Sequence, residues 1–280
     1  MSPESQRIRV ATQLVGSRAR LGVGLMLTPS AFLLAAYVAP RVVIGETAAN
    51  VSAFAGATLC PILGLALAAT VEVRLALALL LATCAAALLL TLSLVGVAPL
   101  STALLVDTAW LCLSWALGCS FGRRVQHAAH LLPACVVAAS ADLVSLLSPE
   151  GPSHAIASSE KALSVLALWF PVPGGAALAP ALGAGDLLFM ALCFGVARTH
   201  RLPYARCVLA CLAGTALAGV AAAWSGVAVP ALVPIAAMLV LTLPAIRRLR
   251  PADRSAARWS MLIASTVAFV AIARTLLARR

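Results

Sequence analysis

Charged residues are scarce in this sequence. Only 10% of its 280 residues are Asp, Glu, Lys or Arg, whereas 62% are hydrophobic, and the mean hydropathy is +1.04. Soluble domains contain about 25% charged and about 45–50% apolar residues, and they cannot cover this much apolar surface. The scarcity of charge therefore excludes an ordinary soluble fold and predicts a membrane-embedded protein.

Two further patterns are missing. The eight cysteines include no Cys-x-x-Cys pair and lie in apolar stretches, which favours small buried hydrophobic residues over disulfides or metal ligands. The net charge is +11, but the basic residues stand between apolar runs without the interleaved aromatic residues of a nucleic-acid surface. The sequence thus predicts no metal, no cofactor and no nucleic-acid partner.

Long apolar runs divide the chain into about nine segments, each close to the roughly 17–25 residues that a helix needs to cross a bilayer. Backbone groups in hydrocarbon must be satisfied within their own segment, so the predicted fold is an all-α, polytopic membrane bundle. The predicted helices cover residues 21–40, 51–71, 75–98, 101–121, 128–147, 179–197, 206–224, 227–246 and 259–278. No internal repeat of the kind found in many transporters is evident.

This division gives four regions: a polar N-terminal segment (1–20), N-terminal transmembrane helices (21–126), a central core (127–246), and a basic loop with an additional C-terminal helix (247–280). Between the fifth and sixth helices, the apolar run Leu163 to Val172 is too short to cross a bilayer. We therefore expect an extended or re-entrant segment there.

The distribution of basic residues predicts the orientation. Fifteen of the 20 Lys and Arg residues fall on the side of the N-terminus, and five fall on the other side. By the positive-inside rule, the N-terminus is predicted to be cytoplasmic in a multi-pass protein of the cell (inner) membrane. The loop between the fifth and sixth helices then faces away from the cytoplasm.

Three of the nine acidic residues lie inside apolar stretches: Asp107, Asp142 and Asp186. Placing an ionised carboxylate within the bilayer costs several kcal/mol by order of magnitude, so such a group is usually neutralised, paired or functional. Asp142 lies near the end of the fifth predicted helix and Asp186 near the start of the sixth, roughly 8 to 10 Å from the same membrane face. Asp107 has no such counterpart, and we interpret it as an aspartate satisfied by a helix neighbour.

A pair of adjacent carboxyl groups can perform hydrolysis. Both cannot ionise cheaply, so one holds a proton while the other stays charged. The ionised member accepts a proton from a water molecule that attacks a peptide carbonyl, while the protonated member polarises that carbonyl and the proton later passes to the leaving amine. This chemistry requires neither a metal nor a covalent nucleophile.

Three motifs accompany the aspartates. Asp186 ends the tetrapeptide Gly183-Ala184-Gly185-Asp186, Asp142 begins Asp-Leu-Val-Ser-Leu-Leu-Ser-Pro-Glu-Gly-Pro, and Pro230-Ala231-Leu232 begins the eighth predicted helix. In their chain order, with the Asp142 motif first, the Gly-x-Gly-Asp motif second and the Pro-Ala-Leu motif third, they span about 90 residues and resemble the presenilin and signal peptide peptidase family of intramembrane aspartyl proteases.

The resemblance implies a presenilin-like helical bundle that cleaves membrane-embedded peptides, single-pass proteins or signal-peptide-like substrates within the lipid bilayer. It makes Asp142 and Asp186 the catalytic pair. It also implies that five other residues shape the substrate-binding site: Gly183, Gly185, Pro230, Ala231 and Leu232. Glycines allow close backbone approach, and a proline early in a helix leaves backbone groups free near the carboxyls.

The sequence departs from the family in three ways. Ala141 precedes the first aspartate where the family usually has tyrosine, the aspartates lie on the fifth and sixth predicted helices rather than the sixth and seventh, and helix 259–278 is additional. Two alternatives remain open. One is a prepilin-peptidase-like membrane aspartyl protease, which also uses a Gly-x-Gly-Asp motif. The other is a proton-coupled transporter in which Asp107, Asp142 and Asp186 relay protons.

Overall fold

The computed structural model describes residues 3–42, 45–71, 75–94, 99–148, 151–174, 177–225 and 229–278. These residues form eleven α-helices and two β-strands. In chain order they are α1 (Pro3–Val38), α2 (Glu46–Ala68), α3 (Leu75–Leu94), α4 (Pro99–Arg124), α5 (Leu131–Leu147), α6 (Pro152–Ser158), α7 (Glu160–Leu166), β1 (Ala167–Pro171), β2 (Leu178–Gly183), α8 (Ala184–Thr199), α9 (Tyr204–Ser225), α10 (Leu232–Thr242) and α11 (Arg254–Ala278).

Seven helices within the described residues are long and apolar enough to cross a membrane. They lie in α1, α2, α3, α4, α5, α9 and α11, at the positions of seven of the nine predicted spans. By the length and apolar composition of these helices, the prediction of a helical, multi-pass membrane protein is confirmed.

The other two predicted spans are shorter helices than expected. α8 has 16 residues and begins at Ala184 instead of residue 179, because residues 178–183 form β2 and Gly183 takes the extended N-cap position. α10 has 11 residues and begins at Leu232 instead of residue 227. Pro234 fits its first turn, where a missing N–H breaks no bond, and the non-helical Leu243 before Pro244 ends it.

A β-hairpin fills part of the segment between α5 and α8 and departs from the all-α prediction. β1 pairs antiparallel with β2, and the register shifts between Leu168 and Trp169. The turn between the strands contains Gly174 at φ +91°, a conformation that favours glycine. Of the run 163–172 that was predicted to be extended or re-entrant, residues 167–171 form β1, whereas residues 163–166 belong to the short helix α7.

The largest core cluster is built around α8. Leu187, Met190 and Phe194 of this helix are fully buried, together with Trp115 of α4 and Ile235 of α10. Glycine allows α4 and α8 to approach closely, since a Cβ on Gly118 would lie 2.6 Å from the carbonyl oxygen of Leu188. This packing fixes α8 against α4 along its length.

Polar contacts join three loops at one end of the bundle. His130, just before α5, forms an ion pair of 3.2 Å with Asp253, and Nε2 of His200, just after α8, lies 2.8 Å from the carbonyl oxygen of Val125. α5 starts at this end and α8 finishes at it. The C-terminal end of α5 and the N-terminal end of α8 therefore lie together at the opposite end, where Asp142 and Asp186 are found.

Candidate active site

Asp186 is the third residue of α8 and lies in its first turn. Its Oδ2 accepts a hydrogen bond of 3.2 Å from the backbone N–H of Gly183, the N-cap residue of the same helix. Helix N-termini carry free N–H groups and the positive end of the helix dipole, so a carboxylate is well placed there. The Gly-x-Gly-Asp motif thus forms the start of a helix.

Asp142 lies near the end of α5 and contacts a distant part of the chain. Its Oδ2 accepts a hydrogen bond of 3.1 Å from the backbone N–H of Leu232, the first residue of α10. This N–H has no partner within its own helix. The Pro-Ala-Leu segment therefore meets the first aspartate directly, although 90 residues separate the two partners.

One cavity of about 540 Å³, here called the carboxyl cavity, brings the predicted site residues together. Asp142 and Asp186 both line it. All five residues predicted to shape the site also line it: Gly183, Gly185, Pro230, Ala231 and Leu232. Its volume falls within the range of about 300–1,000 Å³ that is typical of ligand pockets.

Other walls of the cavity come from residues that the sequence did not single out. They belong to α4, α6, α7 and the hairpin: Trp110, Ser153, Ile156, Leu163, Leu166, Ala167, Pro180 and Leu182. The Pro173-Gly174 turn between two apolar runs is a hairpin signal that could have located the strands. Nothing in the sequence pattern relates Trp110 to the segment between the aspartates.

The two motif glycines differ in what surrounds them. A Cβ on Gly183 would lie 3.0 Å from Oδ2 of Asp186, whereas a Cβ on Gly185 would meet nothing within 4 Å. Gly183 is therefore crowded by the side chain of Asp186, whereas at Gly185 the missing side chain leaves cavity space open.

Asp107 does not join the other two aspartates among the cavity-lining residues. Its side chain is buried, and Oδ1 accepts a hydrogen bond of 3.0 Å from the backbone N–H of Trp169 in β1. The hydrogen-bond partner of Asp107 is therefore a backbone amide of a strand, and not a neighbouring helix as predicted. Among the described residues, no group of three or more His, Cys, Asp or Glu could hold a metal ion.

Ala141, where the resembling family usually has tyrosine, lines a different cavity. This second cavity has a volume of about 850 Å³ and lies between α5 and the additional helix α11. Ser145 lines it too, and its hydroxyl accepts a hydrogen bond of 2.7 Å from the backbone N–H of Ser153, which lines the carboxyl cavity. The two cavities are therefore neighbours, but different residues of α5 line them.

No family model, curated protein or solved structure matches the chain.

Proposed function

We propose that this protein is an intramembrane aspartyl protease that resembles the presenilin and signal peptide peptidase family. The main support is the carboxyl cavity, because three separate parts of the chain supply it with Asp142, Asp186 and the Pro-Ala-Leu segment. A chance pair of helix-end carboxylates would not be expected to share a cavity with all five residues implied by the resemblance.

Each carboxyl group uses only one of its two oxygens in a hydrogen bond to the described part of the protein, so both groups can take part in a reaction. Within the described residues each aspartate makes one hydrogen bond, through Oδ2, to a backbone N–H. Oδ1 of each group therefore remains for water or substrate. In the proposed reaction the ionised carboxyl accepts a proton from water as the oxygen attacks a peptide carbonyl, while the protonated carboxyl donates its proton to the carbonyl oxygen and a gem-diol forms. The first carboxyl then passes the water proton to the leaving amine, and the second recovers its proton from a hydroxyl of the gem-diol as the C–N bond breaks.

The substrate is proposed to bind in an extended form. A helical transmembrane segment satisfies its own carbonyls, so its backbone must unwind before water can attack. β2 and residues 229–231 provide non-helical backbone at the cavity wall, where an extended chain can add by strand-type hydrogen bonds. Substrates with helix-weakening residues near the cut should therefore be preferred, and replacing those residues by leucine should slow cleavage.

We further propose that α8 and α10, with the extended residues before them, complete a bundle of nine spans with a cytoplasmic N-terminus. The arginine distribution supports this orientation in the cell (inner) membrane. The carboxyl cavity then opens away from the cytoplasm, as the resemblance to signal peptide peptidase implies. Impermeant thiol labelling of a Ser158→Cys variant tests this, since labelling only from the cytoplasmic side would reverse the assignment.

The decisive experiment is cleavage of a transmembrane peptide by purified protein in detergent micelles, with the products identified by mass spectrometry. Asp142→Asn and Asp186→Asn should each abolish cleavage, because each variant removes one member of a pair that acts as a unit. Transition-state analogues of aspartyl proteases should inhibit the wild-type protein. Cleavage that continues in either variant would contradict the proposal.

The two alternatives predict different results. A prepilin-peptidase-like enzyme would leave the Pro-Ala-Leu segment unexplained, whereas in the site proposed here Leu232 of that segment donates a hydrogen bond to Asp142. A proton-coupled transporter would move solute without cleaving peptide and would need Asp107 as a third proton carrier. Because Asp107 is bonded to the hairpin amide and is not among the cavity-lining residues, we favour the protease.

A further inference from the structure

Asp107 is a buried acidic group that the proposed chemistry does not use. Its side chain is 1% exposed, and its Oδ1 accepts the hydrogen bond from the backbone N–H of Trp169, 62 residues further along the chain. Burying a carboxylate is costly unless it has a specific partner. The partner lies at the irregular point of β1, where the register shifts and Trp169 is opposite Pro180, a residue without an N–H.

Trp110 makes a second bond from the same helix. Its Nε1–H donates to the carbonyl oxygen of Val165 in α7 at 2.6 Å. Residues 107 and 110 are three apart and therefore lie on one face of α4. Residues 160–171, which comprise α7 and β1, are here called the α7–β1 wall. Together the two hydrogen bonds connect α4 to Val165 and Trp169 of this wall.

The α7–β1 wall is part of the carboxyl cavity and leads to Asp186. Leu163, Leu166 and Ala167 of this wall line the cavity, as does Trp110 itself. Ala167 of β1 pairs with Gly183 of β2, and Gly183 donates the hydrogen bond that holds Asp186. Since α4 also packs closely on α8 at Gly118, one helix holds both the wall and the helix that carries the carboxylate.

We propose that Asp107 is a positioning residue that, together with Trp110, clamps the α7–β1 wall to α4 and so fixes Gly183 and Asp186 at the cavity. This inference rests on the proposed function and adds a role for the third intramembrane aspartate. The role requires a hydrogen-bond acceptor at Oδ1 and no transfer of a proton. Asparagine has the same shape and retains that acceptor, whereas leucine has a similar size and no acceptor.

The test compares Asp107→Asn and Asp107→Leu in the full-length protein, with kcat, KM and the pH profile measured for cleavage of a transmembrane peptide. Asp107→Asn should keep kcat within about threefold and leave the pH profile in place, because the acceptor remains. Asp107→Leu should lower kcat by about tenfold to hundredfold, since a small displacement of reacting groups has an effect of this size. Loss of activity in Asp107→Asn comparable to that in Asp107→Leu would mean that the carboxyl itself takes part in proton transfer, and would overturn the proposal.

Hydrogen exchange measured by mass spectrometry gives a second readout that needs no protease activity. Backbone amides of residues 165–170 should exchange at least about tenfold faster in Asp107→Leu and at the wild-type rate in Asp107→Asn. Unchanged exchange in Asp107→Leu would overturn the clamp. If the wild-type protein cleaves no peptide, the proposed function fails, while the exchange rates still decide whether the clamp exists.

Trp110→Phe provides a check that leaves the buried carboxyl group of Asp107 unchanged. It removes the donor to Val165 and keeps an aromatic ring at the cavity. It should raise exchange in the α7–β1 wall, and its effect should be less than additive with that of Asp107→Leu because both act on one element. Fully additive effects on kcat and on exchange would show two independent contacts and contradict a shared clamp. If Asp107→Leu does not fold, exchange in Trp110→Phe decides alone.

Discussion

The Gly-x-Gly-Asp motif yields a prediction that separates its two glycines. Gly183 has φ −74° and ψ 146°, a conformation open to any residue, so alanine there causes no backbone strain. However, its Cβ would lie 3.0 Å from Oδ2 of Asp186, closer than the 3.4 Å at which ordinary contacts begin. The carboxylate must therefore move by about 0.4 Å or more.

The size of the effect follows from the hydrogen bond at this point. The distance from the Gly183 nitrogen to Oδ2 of Asp186 is 3.2 Å, so a shift of about 0.4 Å places the oxygen beyond normal hydrogen-bond range. Hydrogen bonds to charged groups contribute about 1.5–3 kcal/mol. Expressed as a rate, the expected loss in kcat for Gly183→Ala is about tenfold to hundredfold.

Gly185→Ala is the matched control, with the same chemical change two residues away. Its Cβ would contact nothing within 4 Å, and alanine favours a helix over glycine by about 1 kcal/mol or less in the first turn. Gly185→Ala should therefore raise the melting temperature by about 1–3 °C. Its effect on kcat should be much smaller than that of Gly183→Ala, and any change should fall on KM because the added methyl group enters the cavity.

The assay is peptide cleavage at saturating and limiting substrate, with thermal unfolding of the same detergent samples. Equal losses of kcat in the two variants, or a larger loss in Gly185→Ala, would refute the steric reasoning. A lower melting temperature in Gly183→Ala together with unchanged kcat would show that the glycine serves folding instead of the carboxylate.

Two further predictions concern stability and are measured by thermal unfolding. Gly195→Leu should destabilise the protein by at least about 1–3 kcal/mol, because a Cβ on Gly195 would lie 2.7 Å from a backbone carbonyl of α4, whereas Gly22→Leu, in open space, should have little effect. Arg123 donates to two backbone carbonyls just after α2, so Arg123→Gln should cost about 1–2 kcal/mol, and the same change at the exposed neighbour Arg124 should cost less than about 0.5 kcal/mol. Equal melting temperatures within either pair would contradict the corresponding reasoning.

Hydropathy predicted most of the helical architecture because membrane spans leave a strong compositional signal. Seven of the nine expected spans are helices of sufficient length and apolar character. The errors lie at residues 179–183 and, among the described residues of the eighth predicted span, at 229–231, where apolar residues continue although the helix has not begun. Hydropathy measures the environment and not the backbone conformation, so it cannot distinguish an apolar strand such as β2 from the first turn of a helix. Gly183 followed by Asp186 at the third helical position was the better indicator of that boundary.

The residues that the sequence motifs singled out lie together in the structure. Asp142, Asp186 and the Pro-Ala-Leu segment were identified from motifs, and the structure brings them to one cavity. The bond between Asp107 and Trp169 was not predicted, because a side chain that accepts from a distant backbone amide leaves no pattern in the sequence. For the same reason the sequence did not relate Trp110 to the cavity wall.

α8 and α10 are both short, and both begin at the carboxyl cavity. A helix of 16 residues is about 24 Å long and one of 11 residues about 16 Å, both less than the roughly 30 Å of a bilayer core. The length that each helix lacks relative to a bilayer core is therefore missing at the same end of the bundle. Measured along the helices, Asp142 is about 18 Å from His130 and Asp186 about 21 Å from His200. Those histidines mark the opposite end of the bundle, so the two carboxyls lie at similar depth.

Non-helical backbone at membrane depth is tolerated only where protein buries it or water reaches it. Gly183 and Leu232 illustrate this condition, because each helix start directs a free N–H to a carboxylate. The same interruptions that shorten the two helices thus supply a hydrogen bond to each aspartate, and in the protease proposed above they also leave extended backbone for a substrate and admit water. A protease that cuts within a membrane needs all three conditions at one place, whereas a helix bundle with only a structural role would be more stable if both helices were continued across the bilayer.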